Sequence, residues 1–340
     1  MTNDPSSKAC GHGFDFSVPQ LAGVLIPIVL GFALLIGLLQ ALAAFKWLPT
    51  ARPVQGFDEV LLSHRHTMLR ADHPAEIIVI GDSSSAVNIE APLLSRLLPA
   101  EPRVLNQGMF MGIDMAIYGQ AAGNFIKHHP GQVKLVVLLT TAEQLPNTRM
   151  SPYHESYWHG LFEGDDTGKP RSPASAWLAM DVARLRLANH VVPFAVHGQS
   201  GWFYGHPLFL RDHLPRHDGS TVDRGWFNRS GREDLSHWRI NPDRAREAAK
   251  LRDAIPRDVT LAFGIAPMPE GYVGPEFRDQ RDALMREFNE WLQADILLTN
   301  LPARLPNGYC ASTVHLNQRG QEAFTRLLAE ELERLGALGR

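Results

Sequence analysis

The chain has 340 residues, 44% of them hydrophobic, and a formal net charge of −3. That length allows one large core or two modest ones, and the near-neutral balance without a long basic run argues against a nucleic-acid partner. Its two cysteines, Cys10 and Cys310, cannot form a disulfide framework.

The first element in chain order is apolar. No charged residue occurs between Phe16 and Phe45, and the core "LAGVLIPIVLGFALLIGLLQALAAF" covers 21–45. A bilayer needs about 20 apolar residues as helix, so the run is long enough to cross with some tilt. Pro27 and Gln40 are tolerable inside a span, and Lys46 with Trp47 suits an interfacial anchor. Ala41–Ala43 resembles a signal cleavage site. However, the run exceeds the roughly 7–15 residues of a signal core, and the leader sets Asp4 and Asp15 against Lys8. A retained anchor is therefore favoured over a cleaved signal. The layout is a tail over 1–18, a transmembrane helix over 19–46, a connector over 47–74 and a large domain over 75–340. Lys8 on one side, against Lys46 and Arg52 on the other, gives no positive-inside support for a cytoplasmic N-terminus. That orientation follows instead from the usual plan of one N-terminal span before one large domain, which puts Cys10 and Cys310 on opposite sides as free thiols.

Beyond the connector, apolar runs and amphipathic stretches alternate. Strands are predicted over 76–81, 103–106 and 133–140. Helices lie between them at "IEAPLLSRLLP", with Pro92 in its first turn, and "GIDMAIYGQAAGNFIKHH". The pattern resumes with a helix over 244–255, a strand over 259–266, a helix over 276–293, a strand over 295–299 and a closing helix capped by Asn317. Such alternation with short loops predicts a parallel sheet covered on both faces. Between the halves, about 150–239, the pattern weakens, and we read an insertion with one clear helix at "SAWLAMDVARLRLANH". Its tryptophans (Trp158, Trp177, Trp202, Trp226 and Trp238) suit core packing more than a glycan-stacking platform or a membrane contact. His154 and His159 are five apart, which does not stack them on one helical face. No HExxH or paired CxxC pattern exists, so neither metal nor cofactor is expected.

In such a sheet, functional groups gather at the carboxyl ends of the strands. Three points fall there: Gly81-Asp82-Ser83, Asn106-Gln107-Gly108, and His315 in "STVHLN". Ser83, in the turn leaving the first strand, could expose its hydroxyl while its N–H faces the same cavity. Gly108 lacks a Cβ, so its N–H could approach a carbonyl closely. Two such N–H groups would stabilise an oxyanion, and His315 would shuttle the serine proton. Asp82 is expected to pin the loop. Taken singly, each residue reads as well as a capping hydroxyl, a tight-turn glycine or a loop histidine. Their joint order argues for a site.

These residues resemble blocks I, II and V of the SGNH/GDSL hydrolases: "GDSSS", then "NQG", then "VHLN" before a final helix. The resemblance covers roughly 75–140 and 259–336. It implies a flavodoxin-like α/β/α fold, Ser83 as nucleophile, Gly108 as oxyanion donor and His315 as base. The order of anchor, early serine and late histidine is also similar to the membrane-anchored proteins of D-alanine transfer to teichoic acids. It is similar too to polysaccharide O-acylation proteins that work beside membrane-bound O-acyltransferases. Two positions depart from the family. Its Asp three residues before the histidine is replaced by Ser312, and its third-block Asn falls in "TTAEQLP", with Glu143 nearest and Thr140 or Thr141 as other candidates. The expectation is thus a Ser–His dyad with Asp82, Ser312 and Glu143 in support, suited to slow acyl transfer. The implied setting is a bacterial cytoplasmic membrane with the domain outside, a polysaccharide substrate and an integral membrane acyltransferase as partner. A non-catalytic scaffold subunit of a polysaccharide complex is the alternative, and a free-standing esterase a third reading.

Overall fold

A computed structural model of the chain describes residues 17–44, 57–69, 74–147, 207–228 and 231–338, with isolated positions between 154 and 161. It divides into two units, 1–54 and 55–340. In the first, α1 (Val18–Ala44) is 27 residues of continuous helix with Pro27 inside it. At 1.5 Å per residue that is about 40 Å, against roughly 30 Å of bilayer hydrocarbon. Val24, Ile26, Val29 and Phe32 all stand exposed on it. The segment Val18–Leu35 is long and apolar enough to cross a membrane, as a span or as a signal segment. Lys46 and Trp47 lie outside the described residues.

The second unit is built on a parallel sheet. Its strands are β1 (Ile77–Gly81), β2 (Val104–Asn106), β3 (Leu135–Thr140), β4 (Thr260–Ile265) and, after a short β5 (Met268–Pro269), β6 (Ile296–Leu297). They lie in the order β2-β1-β3-β4-β6, and every pairing is parallel. Counted among themselves this is 2-1-3-4-5, the flavodoxin-type order, whose direction reverses between β1 and β3. Every residue of β1 and β3 is buried, which requires cover on both faces. β5 pairs with β7 (Arg304–Leu305) in a separate two-stranded piece.

The covering helices begin where the sequence offers caps. Asp82 caps α3 (Ser83–Asn88), and Asp114 caps α5 (Met115–His128). Pro92 stands in the first turn of α4 (Ala91–Leu97). Next come α6 (Pro207–Arg216) and α7 (Pro242–Ala254), the latter capped by Asn241. A left-handed Gln293 (φ 51°) ends α8 (Phe277–Leu292), and Asn317 accepts the Gly320 N–H at the start of α9 (Gln318–Arg334). α7 packs on α5 and α8, while α9 packs on α3 and α4.

Two parts of the chain outside the alternating pattern, the connector with some helix and the insertion, are tied into the domain. The stretch taken as a connector holds α2 (Phe57–Met68), which packs Val60 and Leu61 against Leu210 and Leu214 of α6. The described end of the presumed insertion, 207–228, is likewise built into the domain: the Asn106 N–H donates to the Asp218 carbonyl, and the Thr221 N–H to that of Ala86. The predicted helix at 175–190, with Trp177, lies outside the described residues, as does Trp202. Trp158 is buried and Trp238 packs against the core, whereas Trp226 is 70% exposed.

Cys310 is buried among these elements, with its Sγ facing the Pro306 carbonyl. Burial, reinforced by the charge of Glu270, pushes its thiol up to about 12. Since the thiolate is the reactive form, iodoacetamide at pH 8 should leave Cys310 unmodified in a folded Cys10→Ser chain and alkylate it after denaturation. Rapid alkylation of the folded protein, read by mass spectrometry, would contradict this burial.

Candidate active site

The site is assembled around the end of β1. Asp82, fully buried, accepts four hydrogen bonds. Its Oδ1 takes the Ser84 N–H (2.9 Å) and the Ser84 hydroxyl (2.6 Å), and its Oδ2 takes the Thr140 hydroxyl (2.7 Å) and the Thr141 N–H (2.8 Å). One carboxylate therefore caps α3 and ties the end of β1 to the end of β3, across the reversal in strand order. Sequence reasoning placed Ser83 in an open turn. It is instead the first residue of a short helix, where an N–H has no carbonyl one turn back to bond.

The serine triplet divides by burial. The Ser84 hydroxyl donates to Asp82, and that of Ser85 to the Asp82 carbonyl at 2.7 Å, both sealed from solvent. Ser83 alone of the three is half-buried. Its Oγ lies 2.9 Å from His315 Nε2, although 231 residues separate them in the chain. On the far side of the ring, His315 Nδ1 lies 3.0 Å from Asp223 Oδ2. A carboxylate can only accept, so Nδ1 carries the proton and Nε2 offers its lone pair to the serine hydroxyl.

Asp223 was not anticipated. The dyad expected from the sequence had no carboxylate, because Ser312 stands where the resemblance leads one to look. Ser312 instead accepts the backbone N–H of His315 at 3.0 Å and that of Val314 at 3.3 Å. It shapes the loop. The acid comes from a separate segment that runs between α3 and the histidine loop: Asp223 bridges to Asn317, and the Phe227 N–H donates to the Cys310 carbonyl. The other oxygen of Asp223 accepts the Gly225 N–H at 2.8 Å, which fixes the carboxylate plane. The one sequence trace of this is the Asp-x-Gly turn in "TVDRGW", a common pattern with no spacing to His315 that would single it out.

Gly108 also has a different task from the one expected. Its N–H donates to Asn106 Oδ1 at 2.9 Å, so it is not a free oxyanion donor. A Cβ there would collide with the Ser85 hydroxyl and the Ala86 backbone, so the missing side chain lets this loop lie against α3. Asn106 Nδ2 continues the contact to the Ser85 carbonyl (2.8 Å). Behind the loop, Arg65 of α2 is fully buried and donates Nε to the Gly108 carbonyl at 2.9 Å. Burial lowers its guanidinium to about 9.

After β3, Thr140 and Thr141 are engaged with Asp82. Glu143 follows, half-buried in a single turn of 3-10 helix. Desolvation, and then the nearby Asp82 charge, raise its carboxyl above the usual range, while interaction with His315 opposes the shift.

No protein-family model and no curated protein matches the chain. A solved structure from Streptococcus pneumonia, described there provisionally as a platelet activating factor, is similar over 89% of this chain and 98% of that one, with 12% identity and a TM-score of 0.39. At that level the chemistry has to be argued from the geometry of the site.

Two substitutions test this description. Gly108→Ala should destabilise the domain by roughly 1–3 kcal/mol, as overpacking does; an unchanged urea midpoint would contradict the close approach. Glu143→Gln tests the raised carboxyl. A raised folded-state pKa favours the fold at low pH, and that contribution fades as pH climbs through the shifted value. The variant should therefore gain Tm relative to wild type on going from about pH 4 to pH 7.5. A difference that shrinks over that interval would mean the carboxylate is stabilised in its charged form.

Proposed function

We propose that the chain is a membrane-anchored, SGNH-like serine acyltransferase or esterase, working outside the cytoplasm on acetyl-type O-acyl groups of a cell-surface or secreted polysaccharide. The observation that carries the chemistry is the continuous contact from Ser83 Oγ through the His315 ring to Asp223, at 2.9 and 3.0 Å. A hydroxyl, an imidazole and a carboxylate in that sequence form an activated nucleophile in which each group orients the next.

The steps follow from the atoms. His315 Nε2 takes the Ser83 proton as Oγ attacks the acyl carbonyl carbon. The imidazolium that forms is stabilised by Asp223. The carbonyl electrons collect on an oxyanion, toward which the Ser83 N–H, in the first turn of α3, is the donor we assign. His315 then gives its proton to the departing oxygen, leaving the acyl group as an ester on Ser83. In the second half a hydroxyl on the other side is deprotonated by His315 and attacks that ester; the acyl–Oγ bond breaks, and His315 returns the proton to Ser83 Oγ. Water gives an esterase; a sugar hydroxyl gives a transferase. With Asp223 beside the ring, the expectation of a slow dyad lacking a carboxylate no longer applies.

The setting rests on other support. The apolar α1 favours a single pass through a bacterial cytoplasmic membrane, and the order of anchor, early serine and late histidine, similar to that of polysaccharide O-acylation proteins, favours a polysaccharide substrate. Acyl-CoA is absent outside the cytoplasm, so the acyl group would arrive through an integral membrane acyltransferase.

The test uses the full chain in detergent. A fluorophosphonate probe should form an adduct at Ser83, and Asp223→Ala should slow it by up to about 10⁴-fold, the scale seen when a triad carboxylate is disabled. In cells, Ser83→Ala should lower the acyl content of the surface polymer. No adduct on the folded protein with its membrane partner present would favour a non-catalytic scaffold. Rapid hydrolysis of p-nitrophenyl acetate without a partner would favour a free-standing esterase.

A further inference from the structure

α3 carries Ser83 at its first position and Asn88 at its last. The Asn88 side chain is fully buried and makes two hydrogen bonds, both to the histidine loop. Its Nδ2 donates to the Val314 carbonyl at 3.2 Å, and its Oδ1 accepts the Leu316 N–H at 2.8 Å. Val314 and Leu316 are the two neighbours of His315. One amide thus grips the chain on both sides of the imidazole and fastens it to the helix that bears the serine.

A second buried amide does the same for the acid. Gln321, on α9, donates Nε2 to the Val87 carbonyl at 2.6 Å and to the Thr221 carbonyl at 2.7 Å. Val87 belongs to α3, and Thr221 lies two residues before Asp223. The Thr221 N–H adds a bond to the Ala86 carbonyl at 2.9 Å. The three segments that supply serine, imidazole and carboxylate are far apart in sequence, and these two amides join them through the last turn of α3.

We infer that the side-chain amides of Asn88 and Gln321 are positioning residues: Asn88 sets the approach of His315 to Ser83, and Gln321 sets Asp223 against His315. The inference rests on the reading of Ser83 as nucleophile. The physical demand is strict, because a displacement of about 1 Å at a reacting centre can cost on the order of 10²-fold in rate. The Ser312 hydroxyl and the Ala311 and Ser312 N–H groups also brace the loop around His315, but those bonds are internal to the loop and fix nothing relative to α3. A buried amide with both ends bonded across segments supplies that reference.

The experiment measures the fluorophosphonate labelling rate at Ser83, per folded molecule, from pH 5 to 9 in the full chain. Near-ultraviolet circular dichroism gives the folded fraction. Asn88→Ala should slow labelling by about 10²-fold. Asn88→Asp keeps the shape and the bond from Leu316 but faces the Val314 carbonyl with an oxygen, so it should fall between that variant and wild type. Gln321→Ala should likewise slow labelling per folded molecule, and Gln321→Glu, which keeps the length but can no longer donate to both carbonyls at neutral pH, should not restore it. A merely structural role would lower Tm and leave the rate per folded molecule where it is; that result in any of the variants that fold overturns the inference. If Asn88→Ala does not fold, Asn88→Asp and Gln321→Ala decide the matter. Wild-type chain that is folded and does not label would instead overturn the nucleophile reading on which this rests.

Discussion

A single carboxylate, sealed from solvent, fixes where everything else in the site can be. Asp82 is withdrawn from bulk solvent, so a carboxylate there needs protein donors, and four are arranged around it. Two come from the first turn of α3 and two from the end of β3. The result is a joint at the point where the strand order reverses. Ser83, the next residue, has no freedom to be elsewhere. Its two neighbours are drawn into the joint, and its own hydroxyl lies against His315 instead.

From that fixed point the rest is a problem of bringing distant chain together. A parallel sheet solves part of it, since all strand ends of one sense lie along one rim. His315 arrives at that rim on the loop before α9, and Asp223 arrives on a segment that no strand carries. The histidine loop is closed by its own backbone, with the Ala311 and Ser312 N–H groups both directed to the His315 carbonyl. The Asp223 segment is clasped on one side by α3 and on the other by Cys310 and Asn317. Small residues permit these close approaches: at Gly108 a methyl group would already collide with α3.

The sheet was legible in the sequence because its strands are short apolar runs bounded by turn residues, and Asn317 announces the start of the closing helix. The helix at Ser83–Asn88 was not legible. Six residues of Ser, Ala, Val and Asn carry little helical preference, and the buried Asp82 cap that starts the helix looks like any turn aspartate until its partners on β3 are known. Asp223 was illegible for a different reason. Its role depends on a tertiary contact spanning 92 residues, and local pattern reading has no access to such a contact. The resemblance drew attention to the position of Ser312, which in this chain shapes the backbone. At Gly108 the sequence suggested an N–H facing a bound carbonyl, whereas the structure shows that N–H on Asn106 Oδ1 and a missing Cβ that the packing against α3 needs.

The central claim is that Asp223, His315 and Ser83 act as one hydrogen-bonded chain. The most direct measurement is the proton resonance of His315 Nδ1 in the full-length protein in detergent. A proton held between that nitrogen and a carboxylate resonates well downfield of the backbone amides. The account predicts such a signal in wild type, its survival in Ser83→Ala and its loss in Asp223→Asn. A signal that is absent from the folded wild type, or that persists unchanged once the Asp223 carboxylate is gone, would contradict it.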